Sequence, residues 1–80
     1  MKIYVGNLPH TLNEEQLQEV FESFGQVESI KIIKDQIVGI SRGFGFIEMS
    51  SSTEARSAIN NLAFKQLEGR PIIVNEALKW

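Results

Sequence analysis

Residues 42–49 read Arg-Gly-Phe-Gly-Phe-Ile-Glu-Met, and this stretch decides the fold. Successive side chains of a β-strand point to opposite faces of its sheet. A strand over 43–49 therefore presents aromatic rings on one face and apolar side chains suited to a core on the other. The two faces carry Phe44, Phe46 and Glu48 on one side and Gly45, Ile47 and Met49 on the other.

The segment before this strand predicts a strand over 2–6, then a helix and a second strand over 27–34. Asn13 is a typical N-cap, and Gln16 three residues later completes a capping-box pattern. Gly25 fits the position just past a helix end, where the left-handed conformation is common. The apolar side chains that follow helical spacing between these signals are Leu17, Val20, Phe21 and Phe24.

The segment after residue 49 predicts a second helix and a last strand. Ser51 and Glu54 repeat the capping-box pattern, and apolar spacing then predicts a helix over about 52–62. Pro71 to Glu76 is predicted to be the last strand. The remaining connections are a turn region at 67–70 and a link at 35–41, with Gly39 as its turn residue.

The predicted order is β-α-β-β-α-β, the split βαβ arrangement of ferredoxin-like α+β folds. This fold has a four-stranded antiparallel sheet with two helices on one face. Two helices cover only one face of such a sheet, so the other face meets solvent or a partner. The side chains expected to meet the helices are Ile3, Val5, Ile30, Ile32, Ile47, Met49, Ile72 and Val74.

Strand alternation sends three aromatic rings, Tyr4, Phe44 and Phe46, to the uncovered face. In this topology the first and third strands are central neighbours, so the rings can cluster. Exposed rings are costly in water, but each offers a flat surface on which an unpaired base can stack, contributing about 1–3 kcal/mol per base. The cationic candidates for phosphate contacts on this face are Arg42, Lys2 and Lys31.

Composition limits the function classes. A chain of 80 residues holds one domain, expected to span 1–80. The absence of cysteine excludes disulfides and thiolate metal sites, and a single histidine, His10, excludes multi-histidine sites. We therefore expect no metal and no cofactor. No apolar run approaches the roughly 20 residues that span a bilayer. An intracellular, non-membrane domain is expected, cytoplasmic in a bacterium and nuclear or cytoplasmic in a eukaryote.

The distribution of charge matters more than the net charge of −2. Residues 13–24 contain four glutamates and no base, and the rest of the chain holds six acids against eight bases, a balance of +2. A helix that faces away from a polyanion can carry this acidity. The four carboxylates are expected to be solvated; they are Glu14, Glu15, Glu19 and Glu22.

Two motifs resemble those of the RNA recognition motif family. Residues 42–49 resemble its RNP octamer, and Ile3-Tyr4-Val5-Gly6-Asn7-Leu8, about 40 residues earlier, resembles its RNP hexamer. The resemblance extends over almost the whole chain, including Val74-Asn75-Glu76-Ala77. The sequence looks most like stand-alone bacterial single-motif proteins and the motif of glycine-rich RNA-binding proteins.

This resemblance implies a role for each matching residue. Tyr4 and Phe46 would each stack on a base, Phe44 would contact sugar rings and Arg42 would pair with a phosphate. The same resemblance implies that bases meet Asn75 and Ala77 through side chain or backbone. Single-stranded RNA is the expected partner, with single-stranded DNA left open. A monomer is expected, with weak self-association or a protein partner left open.

The sequence departs from the family pattern at two places near the expected binding surface. The connection reads Val38-Gly39-Ile40-Ser41, where relatives tend to carry Thr-Gly followed by a basic residue. On the last strand, Ile73 stands where a basic or polar residue is common. Both changes remove positive charge, so we expect stacking to contribute more than charge and the affinity to be modest, about micromolar or roughly −8 kcal/mol.

Several alternatives remain at this point. The main one is a protein-interaction module on the same fold. An acylphosphatase-like enzyme needs an arginine in the loop after the first strand, which reads Asn7-Leu8-Pro9-His10, so we expect no enzyme. Lys2 and Lys31 also suit an ordinary surface, and Asn75 also suits local hydrogen bonds. Away from the sheet, Phe21 and Phe24 are expected in the core and Phe64 as a lid over it.

Overall fold

The computed structural model describes residues 1–34 and 41–77, without the side chains of Lys34, Ser41 and Arg42. Within these ranges four strands form one antiparallel sheet, in the order Val27–Lys34, Ser41–Met49, Lys2–Gly6 and Ile73–Glu76. This confirms the ferredoxin-like α+β fold. The elements are β1 (Lys2–Gly6), α1 (Glu14–Glu22), β2 (Val27–Lys34), β3 (Ser41–Met49), α2 (Ser52–Leu62), β4 (Gln66–Leu67), β5 (Arg70–Pro71) and β6 (Ile73–Glu76).

The core lies between the sheet and the two helices of the described chain. Seven of the eight side chains predicted for this face are at most 3% exposed, and Ile30, on the edge strand β2, is half-buried against them. Leu8 and Leu12 also belong to the core, although no periodic pattern pointed to them. Both lie in the loop after β1, where the Leu8 N–H donates to the Gly43 carbonyl at 2.8 Å.

Helix α1 begins as predicted and ends differently. Asn13 Oδ1 accepts from the Gln16 N–H at 2.8 Å, and Gln16 Oε1 accepts from the Asn13 N–H at 3.0 Å, which confirms the capping box. The helix ends at Glu22 with Ser23 as its C-cap. Gly25 does not take the left-handed conformation predicted for it. It lies against Glu54 instead, since a Cβ at Gly25 would come within 2.7 Å of the Glu54 Cβ.

Glu14 is not the solvated charge that the sequence predicted. Its Oε2 accepts a hydrogen bond from the Ile32 N–H at 2.8 Å, which ties the first turn of α1 to β2. The bond forms where the pairing of β2 with β3 shifts register after Ile32. Gly45 lies opposite Ile32, and a Cβ there would come within 2.5 Å of the Lys31 carbonyl oxygen. The irregular edge of the sheet therefore depends on both a carboxylate and a glycine.

The segment between α2 and β6 contains a feature that the sequence prediction missed. Residues 66–71 form the two-stranded ribbon β4–β5, where the sequence predicted a turn at 67–70 and the last strand from Pro71. Glu68 and Gly69 at its tip have φ of 50° and 82°, as in the two-residue hairpin turns with both central residues left-handed. Pro71 consequently belongs to β5, and the last strand of the main sheet begins at Ile73.

The start of α2 agrees with the sequence prediction, whereas the segment after its end does not. The Ser51 hydroxyl accepts from the Glu54 N–H at 3.1 Å, which confirms Ser51 as the N-cap but only this half of the predicted capping box. Phe64 is 74% exposed and is not a lid over the core. Its φ of 64° reverses the chain so that its N–H donates to the Ile72 carbonyl at 2.9 Å. This backbone bond sets the position of residue 64.

Candidate nucleic-acid interface

Three aromatic rings meet on the uncovered face of the sheet. The ring centroid of Tyr4 lies 6.2 Å from that of Phe44 and 5.8 Å from that of Phe46, and the two phenylalanine rings are 6.0 Å apart. These distances fall within the range of favourable aromatic pairs. All three rings are half-buried. We call this group the aromatic cluster; the sequence prediction of its three members and their face is confirmed.

One row of side chains crosses all four strands at the level of the aromatic cluster. Phe46 is the Cα partner of Tyr4 on one side and of Lys31 on the other. Tyr4 in turn is the partner of Asn75 on β6. The order across the face is therefore a cation, two rings and an amide. Lys31 and Asn75 are exposed, so both ends of this row are open to solvent.

A second, more polar row lies next to the first. Glu48 is the Cα partner of Lys2 on β1 and of Ser29 on β2. At the β6 end, the Ala77 N–H donates to the Lys2 carbonyl at 2.9 Å. Every residue predicted for this face whose side chain is described therefore lies in one of the two rows or in the aromatic cluster.

A shallow depression of about 560 Å³ opens beside Phe46, between the two rows and the β2 edge. Its lining combines an aromatic ring with charged, hydroxyl and aliphatic groups. The lining residues are Lys2, Ser29, Ile30, Lys31, Ile33, Phe46, Ile47 and Glu48. A depression of this kind has a flat apolar wall and several polar groups at its rim, which suits a planar ligand with a polar edge.

The Tyr4 ring extends along β1 and covers Gly6. A Cβ built on Gly6 would lie 2.6 Å from the Tyr4 hydroxyl oxygen and 3.0 Å from ring carbon Cε1. The lack of a side chain at Gly6 thus gives the ring its place on the sheet. Sequence reasoning did not assign Gly6 a role, because strand alternation alone does not show that one side chain leans over the next residue on the same face.

The exposed carboxylates of helix α1 lie on the other side of the molecule. Helix α1 buries Leu17 and Phe21 in the core, so its outer surface is on the side opposite the aromatic cluster. Its three exposed carboxylates are Glu15, Glu19 and Glu22. The predicted separation of acidity from the uncovered face is therefore confirmed, with Glu48 as an acid on that face.

Two of the sequence predictions lie at least partly outside the described residues. Arg42 is in β3, but its side chain is outside what the structure describes. The link at 35–40, with Gly39, is outside the described residues as well. Ile73, which replaces the basic or polar residue expected on the last strand, is 41% exposed and pairs with Gly6.

Arg70 is a cation near this surface that sequence reasoning missed. Its Nη2 donates to the Asn7 Oδ1 at 3.1 Å, and the Asn7 Nδ2 donates to the Pro71 carbonyl at 2.8 Å. Asn7 has a left-handed φ of 55° directly after β1. The pairing of Arg70 with Asn7 depends on the β4–β5 ribbon, which has no sequence periodicity. In the sequence, the available signal for a turn between two short strands was the Glu68-Gly69 pair.

In the described ranges, no group of three or more metal-ligating side chains comes together. Neither α1 nor α2 is long and apolar enough to cross a membrane. The uncovered face offers aromatic rings, amide and hydroxyl groups and single charges.

Comparison with known proteins identifies the family. A model of the RNA recognition motif matches residues 3–73. The chain belongs to this family. The fold is similar to that in a crystal structure of RNA binding protein PG1, with a TM-score of 0.95 and 45% identity. The match covers all of this chain and 96% of the other. A structure of the Rna15 RRM with bound RNA (GU) has a TM-score of 0.89 at 29% identity, covering 98% and 83% of the two chains.

Plant RNA-binding proteins are also similar in sequence. RNA-binding protein CP29B, chloroplastic, of Arabidopsis thaliana is 47% identical over 75 residues, which are 94% of this chain. Glycine-rich RNA-binding protein 2 of Sorghum bicolor is 45% identical over 76 residues. This chain spans 26% of the length of the first relative and 45% of the second. The similarity therefore covers only part of these longer proteins.

Proposed function

We propose that this chain binds single-stranded RNA on the uncovered face of its sheet and is not an enzyme. The observation that carries the proposal is the aromatic cluster, three half-buried rings within 6.2 Å of one another on a face that no described helix covers. Membership of the RNA recognition motif family supports it, as does the RNA bound in the Rna15 structure. Post-transcriptional regulation or RNA chaperoning is the role that suits such a module.

The rings bind nucleotides by stacking. In this proposal one base lies on Tyr4 and the next on Phe46, and Phe44 contacts the sugars between them. Each stacked base contributes about 1–3 kcal/mol, and stacking accepts any base because every base has a π-face. The 5.8 Å between the Tyr4 and Phe46 centroids keeps the two platforms close enough for adjacent nucleotides.

Cations on the uncovered face contact the phosphates in this proposal. Lys31 lies beside Phe46 in the first row, and Lys2 lies in the second row. Arg42 is placed on β3 by the sequence, two residues before Phe44. These contacts hold the RNA backbone in place and carry little sequence information. With three cations and one acid assigned to this face, we expect about micromolar affinity, roughly −8 kcal/mol.

Asn75 and Ala77 are the groups proposed to meet base edges. Asn75 is exposed beside Tyr4, and its amide offers both donors and an acceptor. The N–H of Ala77 already donates to Lys2, so its carbonyl is the group that a base amino group can reach. Both contacts lie on the β6 side of the aromatic cluster, opposite Lys31.

Single strands are the proposed targets because stacking on a ring requires an unpaired base, whereas an A-form duplex keeps its base faces covered. The proposal requires no metal or cofactor. Single-stranded DNA and a second protein are further candidate partners, and a monomer in an intracellular compartment is part of the proposal. Several relatives are named as chloroplastic.

The test is a fluorescence anisotropy titration with a short fluorescent single-stranded RNA pool, repeated with a duplex of the same composition and at several salt concentrations. We expect the single strand to bind, the duplex to bind at least about tenfold more weakly, and the affinity to fall as salt rises because phosphate contacts release counterions. Equal binding of both forms, or no binding at low salt, would contradict the proposal and favour a protein-interaction module.

A further inference from the structure

Glu48 is an acid on a surface otherwise suited to a polyanion. Its neighbours Ile47 and Met49 are at most 1% exposed and face the core, so the Glu48 side chain lies on the uncovered face. It is half-buried there. A negative charge at this position repels RNA phosphates. Its presence therefore weakens backbone binding, and a compensating contact to a base would explain why it is there.

The position of Glu48 relative to Phe46 suits such a contact. The two residues are two positions apart on β3, which places their Cα atoms about 7 Å apart on the same face. Both line the depression beside the first row. A base stacked on Phe46 extends its edge from the ring toward the second row, where Glu48 is the acceptor. Among the described residues, no hydrogen bond to the Glu48 carboxylate is made by another side chain or backbone group.

The chemistry of a carboxylate selects among bases. A carboxylate only accepts hydrogen bonds. The Watson–Crick edge of guanine presents two adjacent donors, N1–H and the N2 amino group, which match two carboxylate oxygens. Adenine and cytosine present one amino group beside a ring-nitrogen acceptor, and uracil presents one N–H between two carbonyls. Acceptors facing a carboxylate repel it, so guanine is favoured and uracil is disfavoured.

We propose that Glu48 is a specificity-determining residue that selects guanine for the base stacked on Phe46. This inference rests on the proposed function, since it requires RNA on the aromatic cluster. Ser29, the Cα partner of Glu48 on β2, supplies a hydroxyl that can donate to the guanine O6 carbonyl next to N1–H. The depression therefore offers acceptors and a donor in the order that the guanine edge requires.

The test compares four short RNAs: oligouridine, and the same oligomer with one central guanosine, adenosine or cytidine. Anisotropy titrations are made with the wild type, with Glu48→Gln and with Glu19→Gln, which removes the same charge from the outer surface of α1. We expect the wild type to bind the guanosine oligomer about tenfold more tightly than oligouridine, a difference of about 1.4 kcal/mol. In Glu48→Gln this ratio should fall to within about twofold, while affinity for oligouridine is kept or raised.

The outcomes separate this inference from the proposed function. If the wild type binds all four oligomers equally, or if Glu48→Gln keeps the guanosine preference, Glu48 does not read the base and RNA binding still stands. If the wild type binds none of them, the proposed function itself fails. A merely structural pairing of Glu48 with Lys2 would change the melting temperature of Glu48→Gln without changing the ratio between the oligomers. We expect Glu19→Gln to keep both the ratio and the affinity.

Discussion

The two faces of β3 differ in what their side chains contact. Ile47 and Met49 are at most 1% exposed and pack under the helices, whereas Phe44 and Phe46 alternate with them and remain half-buried on the open side. Both sets are apolar, so hydrophobicity alone does not separate core from binding surface. What separates them is the layer of helices, which covers one face and leaves the other. An apolar residue on the covered face stabilises the fold, and one on the open face is available to a ligand.

The largest effect is expected on the covered face. Ile47→Ala removes a buried side chain from the centre of the sheet, and such truncations cost about 2–5 kcal/mol. In a domain of this size each kcal/mol lowers the melting temperature by about 4–8 °C. Thermal and urea unfolding measure the change. A loss of stability below about 1 kcal/mol would show that this face is not the core of the fold.

The matching change on the open face should affect binding instead. Phe46→Ala removes a stacking platform and should weaken single-stranded RNA binding by about 1–3 kcal/mol. The same titration and thermal melt, made on Phe44→Ala as well, separate binding from folding. If stability falls as much as binding does, the rings are structural and the contrast between the faces fails.

A change at the junction of α1 with β2 tests how the covered face is held. Glu14→Ala leaves the Ile32 N–H without its acceptor, which should cost about 1–3 kcal/mol of stability. Glu15→Ala is the matched control, because Glu15 is also in the first turn of α1 but is exposed. Urea unfolding and hydrogen exchange at the Ile32 amide measure both variants. Equal losses in the two variants would mean that the helix N-terminus, and not the bond to Ile32, is responsible.

The smallest expected effect concerns the position of a single ring. Gly6→Ala places a methyl group where the Tyr4 ring lies, so the ring must move and binding should weaken by about 1 kcal/mol. The hydroxyl oxygen of Tyr4 makes the closest approach, so Gly6→Ala should weaken binding less in a Tyr4→Phe background. A double-mutant cycle on RNA affinity measures this coupling. Additive effects in the cycle would show that Gly6 does not position the ring.

Strand alternation and capping patterns were sufficient to predict the architecture and the aromatic cluster, because both depend on local periodicity. The β4–β5 ribbon was missed because strands of two residues have no period, and the Glu68-Gly69 pair at its tip was the available sequence signal. Glu14 and Gly25 were misjudged because each contacts a distant element, β2 in one case and α2 in the other. Leu8 and Leu12 were not placed in the core because residues of a loop show neither strand alternation nor helical spacing.

The central claim is that the open face, and not the helices, binds RNA. Backbone amide NMR during titration with a short single-stranded RNA pool tests it most directly. We expect the largest shifts at the aromatic cluster and at 75–77, with small shifts in α1 and α2. Shifts confined to α1, with none at Tyr4 or Phe46, would contradict the account and would indicate that the rings serve another partner.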